Sequence, residues 1–248
     1  MEQLLEYGIR IFPGLFILSI SYFLLPKKER IIKMFLLLFG FILMRDTMTP
    51  LGFWEFGFAN NTLKLRFIND PLILLVLGFT SLVVSLVLYR VDEDLKRNLK
   101  WFSNHSKFQN IIVGILSSLV VVLPFRISYF WTSASQQEDL VPLKMLLPLM
   151  IFALLGNFLE EILFRGYFQN YLKKQRIDVL KRVLLSALFF SIGHIFLAST
   201  VTNLGVIILI FTFWEGLVCA VLYEKYGIIS ATLAHGLSIF LLSSGIFF

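Results

Sequence analysis

Eight runs of this chain are apolar for about the length of a membrane crossing: roughly 7–26, 31–49, 71–90, 109–130, 143–171, 180–198, 203–223 and 228–247. A helix needs ~20 such residues to span a bilayer core. In lipid every backbone N–H and C=O must be satisfied internally, so only helices and closed barrels can span it. The runs are continuous rather than alternating, which disfavours a barrel. The expected fold is therefore all-α: a polytopic transmembrane helical bundle of about eight spans. Charged residues make up only 15% of the chain and the mean hydropathy is +0.82, against ~25% charged residues in soluble domains.

The net charge is +6. In a soluble protein that would raise the question of nucleic acid, but here the cations sit in short loops between apolar runs, so no nucleic-acid partner is expected. Lys27, Lys28, Arg30 and Lys33 follow the first run. Arg90, Lys96, Arg97, Lys100 and Lys107 follow the third, and Lys173, Lys174, Arg176, Lys181 and Arg182 the fifth. Every second loop is basic. The positive-inside rule puts these loops in the cytoplasm and both termini outside, in what reads as a prokaryotic plasma membrane. The first run carries Glu2 and Glu6 and lacks a small-residue cleavage site, so it reads as a retained span. No repeat or low-complexity linker divides residues 1–248, which read as one transmembrane domain. The single cysteine, Cys219, lies in an apolar run and reads as a packing residue.

Against this background Glu160, Glu161 and Arg165 stand out. They lie within one apolar run, where each charge costs ~2.5–3.5 kcal/mol on insertion scales. Glu161 and Arg165 are four apart and share a helical face, so they can pair; Glu160 points ~100° away and is left to face a cavity. Counting along helices from the basic ends, Glu161 lies ~18 Å deep, Glu215 ~14 Å and His235 ~12 Å, with His194 close to the depth of Glu161. Four helices thus place polar groups in one broad layer, in the cytoplasmic half of the bilayer. Of the three histidines, only His105 falls in a loop, where it reads as solvated.

This set is compatible with several chemistries. A desolvated Glu160 can act as general base toward water, with the histidines polarising a carbonyl. Glu160, His194 and His235 can instead hold a divalent metal such as zinc. A purely structural ion pair and a proton-coupled transporter also use such residues; the transporter lacks the expected internal repeats.

Three motifs in order resemble the CAAX protease and bacteriocin-processing family of intramembrane endopeptidases, also called Abi. EExxxR stands as Glu160-Glu161-Ile-Leu-Phe-Arg165, FxxxH as Phe190-Ser-Ile-Gly-His194, and a closing region as Gly216 to Gly227 followed by Ala231-Thr-Leu-Ala-His235. The resemblance covers about residues 143–245. It implies a catalytic core at 143–247, preceded by variable spans at 1–142. It also implies that Glu160 activates water, that Glu161 and Arg165 support it, that His194 contacts water or substrate, and that His235 lines the oxyanion site. Family members often carry Asn four residues after the last His; this chain has Ile239 there, with Ser238 one residue earlier. The implied substrate is a membrane-associated or prenylated peptide or protein. The implied alternative is a non-catalytic membrane scaffold or bacteriocin-immunity protein on the same fold.

Asn157, Phe190, Ser238 and Glu215 are expected to support substrate or oxyanion. Arg45 and Asp46, adjacent near the end of a run, read as an interfacial pair. Gly156, Gly166 and Gly193 read as close-packing positions.

Overall fold

The computed structural model describes residues 2–59, 62–131, 140–202 and 204–246. Long helices occupy all eight apolar runs: α1 (Glu2–Leu24), α2 (Arg30–Met48), α3 (Pro71–Val91), α5 (Lys107–Trp131), α6 (Leu143–Glu161), α8 (Val179–Gly193), α9 (Val206–Tyr226) and α10 (Ile228–Ser244). Two short helices, α4 (Glu93–Asn98) and α7 (Asn170–Lys174), lie in or beside the basic loops. The protein is an integral membrane protein with an all-α, polytopic core. Six of the helical segments are long and apolar enough to cross a membrane by length and composition alone, the fourth being α6 to α7 taken as one unit, Leu143–Lys174. Two of the eight expected spans fall outside that set. α2 carries Arg30, Lys33, Arg45 and Asp46 within its length, and α10 has only 17 residues.

One element was not expected: an antiparallel hairpin of β1 (Trp54–Ala59) and β2 (Thr62–Phe67) between α2 and α3. Its register pairs Trp54 with Phe67 and Phe56 with Leu65, while Glu55 faces Arg66. Side chains alternate across a strand, so one face of the hairpin is aromatic and aliphatic and the other charged.

α6 is the central helix, packed between α3 and α10; α10 also meets α5 and α9, and α8 lies on α9. The α6–α10 contact is close because Gly236 offers no side chain; a Cβ there would come within 2.9 Å of Leu154 Cα. Helix α1 sits outside this core and exposes Leu5, Ile9, Phe12, Phe16 and Ile17, as suits a lipid-facing helix.

The basic loops gather at one end of the bundle. Asp94 of α4 pairs with both Arg30 and Lys174. Arg182 Nε meets Glu224 Oε1 at 2.7 Å, and Lys100 Nζ donates to the Glu224 carbonyl at 2.7 Å. Burial pushes the Asp94 carboxyl up, but its hydrogen bonds from Lys174 and Arg30 outweigh this and hold it below the ordinary range. At the other end Thr200 Oγ1 donates to Asp46 Oδ1 at 2.5 Å and Val141 N donates to the Ser244 carbonyl at 3.2 Å. Alternate loops therefore share an end, as the charge pattern requires.

Candidate active site

α6 does not stop at the glutamates. It continues into a π-helical turn, Ile162–Gln169, before α7. The wider turn begins immediately after Glu161, and such turns recur at functional sites. It retains the i, i+4 pairing: Arg165 Nε lies 3.1 Å from Glu161 Oε2, and both side chains are fully buried. Arg165 Nη2 also donates to the Gly216 carbonyl at 3.0 Å, and its guanidinium sits 4.7 Å from the centre of the Phe190 ring. The cation is thus held by a carboxylate, a carbonyl and an aromatic face.

The two glutamates are neighbours in sequence but pair with different cations and approach opposite nitrogens of His235. Glu161 Oε1 lies 2.9 Å from His235 Nδ1. That carboxylate also faces Arg165, so it is the acceptor and Nδ1–H the donor. Glu160 Oε1 instead accepts from Arg45 Nη2 at 2.5 Å. Its other oxygen, Oε2, is buried with no hydrogen-bond partner among the described residues, 3.3 Å from His194 Nε2 and 3.8 Å from His235 Nε2.

His194 sits at the C-cap of α8, where the chain leaves helical geometry before a second π turn, Leu197–Val201. Its Nδ1 lies 2.8 Å from the Phe190 carbonyl, which can only accept. In the neutral ring the proton is therefore on Nδ1 and Nε2 is bare. His235 is fixed in the same sense by Glu161. Two bare imidazole nitrogens and one carboxylate oxygen consequently converge. Phe190 explains part of this order: fully buried, it packs on Arg165, His194 and His235 together. Gly193 serves packing as expected, since a Cβ would come within 2.7 Å of Phe164 Cζ.

These groups line a narrow cavity of about 70 Å³. Glu160, His194, His235, Glu215 and Asn157 form its polar floor with Arg45. Ile208, Phe211 and Ile239 form part of its wall, and Trp54, Phe56, Leu65 and Phe67 of the hairpin form its roof. The cavity runs from the polar layer toward the hairpin end.

Two residues sit differently from expectation. Arg45 is not an interfacial partner of Asp46: it turns inward past Gly156, where a Cβ would lie 3.2 Å from Nη2, and reaches Glu160. Ser238 is fully buried and does not line the cavity; its hydroxyl lies 3.0 Å from Glu215 Oε1 and 2.7 Å from the His235 carbonyl. Glu215 Oε1 is also 3.7 Å from His235 Nε2. Cys219 is buried, with Sγ 3.8 Å from the Ala231 carbonyl. Among the described residues Cys219 falls in a group with Glu161 and His235 whose donor atoms lie within 4.8 Å of one another. In that group Glu161 is already engaged by Arg165 and His235. Glu160, His194 and His235 do not form such a group among the described residues: the two imidazole nitrogens each approach Glu160 Oε2, at 3.3 and 3.8 Å, but not each other.

Residues 142–241 match the family described as Type II CAAX prenyl endopeptidase Rce1-like. The resemblance read from the three motifs therefore holds over the segment that carries both glutamates, Arg165 and both buried histidines. No curated protein and no solved structure matches the chain.

Proposed function

We propose that the protein is an intramembrane endopeptidase that hydrolyses a peptide bond in a membrane-associated or prenylated peptide, with Glu160 as the base that activates water. The observation that carries this reading is the convergence of three acceptors with no donor between them: Glu160 Oε2, His194 Nε2 and His235 Nε2. Such a point suits a molecule that donates two hydrogens, which is what an attacking water is. Glu160 takes one of its protons as the oxygen adds to the carbonyl carbon. The other hydrogen is directed to a histidine, which fixes the attack angle. When the tetrahedral adduct collapses, the C–N bond breaks and Glu160 returns the proton to the leaving amine. Glu161 and Arg165 touch no reacting atom in this scheme. Arg165 positions Glu161, and Glu161 orients His235.

A divalent cation on Glu160, His194 and His235 is the second reading; it would require the two imidazoles to draw closer than they stand here, and it would supply a more acidic water. The basic loops are assigned to the cytoplasm, so the hairpin roof faces the opposite side of the membrane.

The test is cleavage by the purified protein in lipid nanodiscs, over a panel of membrane-tethered and prenylated peptides, with products identified by mass. Cleavage at a single bond supports the endopeptidase. Its loss with a chelator, restored by added zinc, assigns the water to a metal; insensitivity assigns it to Glu160 alone. A folded protein that cuts nothing on the panel contradicts the proposal and favours the scaffold.

A further inference from the structure

Hydrolysis of an amide needs a proton acceptor for the water and, a few ångströms away, a donor for the charge that builds on the carbonyl oxygen. The acceptors are plain in this cavity; among the side chains that line it, the donors left to consider are the Asn157 amide and the Arg45 guanidinium, of which only Arg45 carries a positive charge. Both histidine Nδ1–H groups are spent on Phe190 and Glu161. Trp54 Nε1 donates to Thr49 Oγ1 at 3.0 Å, and the Thr212 hydroxyl lies against Ser191 Oγ and the Leu209 carbonyl. On α10 the cavity wall is Ile239, which has no donor, and Ser238 is turned to Glu215.

One cation lines the cavity among the described residues: Arg45, from α2. Its side chain is 16% exposed and touches Glu160 with one N–H. A guanidinium has five N–H groups in a planar fork, so most remain to be used. The contact with Glu160 also has a chemical consequence. A carboxylate bound by a cation at 2.5 Å is a poor base while the contact lasts.

We propose that Arg45 is the oxyanion residue of this enzyme, and that the substrate carbonyl draws its guanidinium away from Glu160 Oε1 as the bond is attacked. Water adds its oxygen to the carbonyl carbon and gives a proton to Glu160, and the carbonyl π pair moves onto the oxygen, facing the Arg45 N–H groups. Collapse restores the C=O, breaks C–N and returns the proton from Glu160 to nitrogen, leaving a carboxylic acid and an amine. Binding a carbonyl therefore frees the base, so activity is coupled to occupancy. This inference rests on the peptidase reading above.

The experiment compares wild type, Arg45→Lys and Arg45→Gln on a cleaved tethered peptide. It also measures binding of the matching phosphinate peptide, a tetrahedral mimic, to Glu160→Gln and to the Arg45→Gln/Glu160→Gln double variant. The double variant leaves no unpaired buried carboxylate, so it stays folded if the single variant does not. Arg45→Gln should lower kcat about 10²–10³-fold with KM changed little, the loss measured for a single oxyanion donor. Arg45→Lys should recover part of it. Phosphinate affinity should fall at least tenfold between the two Glu160→Gln backgrounds, while uncleaved substrate binds both alike. Wild-type kcat in Arg45→Gln, or equal phosphinate affinity in the two backgrounds, overturns the assignment and makes Arg45 a structural partner only. A wild type that neither cleaves peptide nor binds phosphinate overturns the peptidase reading itself.

Discussion

The two halves of this protein contribute to the cavity in different ways. Residues 142–241, the segment that matches the family, supply Glu160, Glu161, Arg165, His194 and His235 on α6, α8 and α10. The preceding helices supply Arg45 and the hairpin roof. In the first group every polar side chain except Glu160 is fixed from within the same segment: Glu161 by Arg165, His235 by Glu161, His194 by the Phe190 carbonyl. In the second group the contacts cross from one half to the other. A self-consistent core can be carried from protein to protein as a motif set, whereas a roof and a single cation can be set by each chain for its own substrate.

If that division is right, variants in the core should remove chemistry or folding, and variants in the earlier helices outside the cavity floor should only tune. The largest effect is expected for His194→Ala, which removes one of the converging nitrogens: kcat should drop about 10²–10⁴-fold, read from initial rates on a tethered peptide. Glu161→Gln should act on folding instead. It strands the fully buried Arg165 guanidinium without its carboxylate, at a cost of roughly 3–5 kcal/mol, visible as a lowered midpoint in thermal unfolding in detergent. A Glu161→Gln protein that is fully stable but inactive would break the distinction drawn between the two glutamates.

Trp54→Ala tests the roof. Its ring stacks on Phe67 and lies 6.0 Å from Phe196 over the cavity. KM should rise about tenfold, corresponding to ~1.4 kcal/mol of lost contact, with kcat kept. A change in kcat alone would mean that the hairpin shapes the reacting groups rather than the substrate.

The smallest effect is expected far from the cavity, at Asp94, which ties the α1–α2 and α7–α8 loops. Its carboxyl is held below the ordinary range, so its stabilisation is present above the unfolded value and is lost as pH falls through the folded one. Asp94→Asn should cost about 0.5–1 kcal/mol at pH 7, because the site is partly exposed, and the gap to wild type should close at an acid pH low enough to protonate Asp94 in the folded protein. Unfolding midpoints at the two pH values check this.

Much of this architecture was legible in the sequence. The eight apolar runs gave eight helices because in lipid the backbone has no alternative, and the alternating basic loops gave the shared end. Glu161–Arg165 followed from helical spacing, and survives the π turn that spacing could not reveal. What escaped was long-range. Arg45 sits near the end of its run, where snorkelling is the default, and nothing local says that Gly156 opens a path to Glu160, far along the chain. The hairpin had a signal: Trp54-Glu-Phe-Gly-Phe-Ala, then Thr62-Leu-Lys-Leu-Arg-Phe, alternates with a period of two across Asn60-Asn61. Judged only as part of a barrel, that alternation was too short to count. Ser238 was read by residue type; its burial against Glu215 depends on how α9 and α10 pack.

The most direct test of the account is the rate at which Glu160→Gln cleaves a peptide that wild type cuts at one bond, both proteins matched for folding by their thermal midpoints. The substitution keeps the shape of the side chain and removes the base. The account predicts that product formation falls by at least about 10²-fold, with substrate still bound. Cleavage at the wild-type rate would contradict it, and would move the water-activating group to another residue.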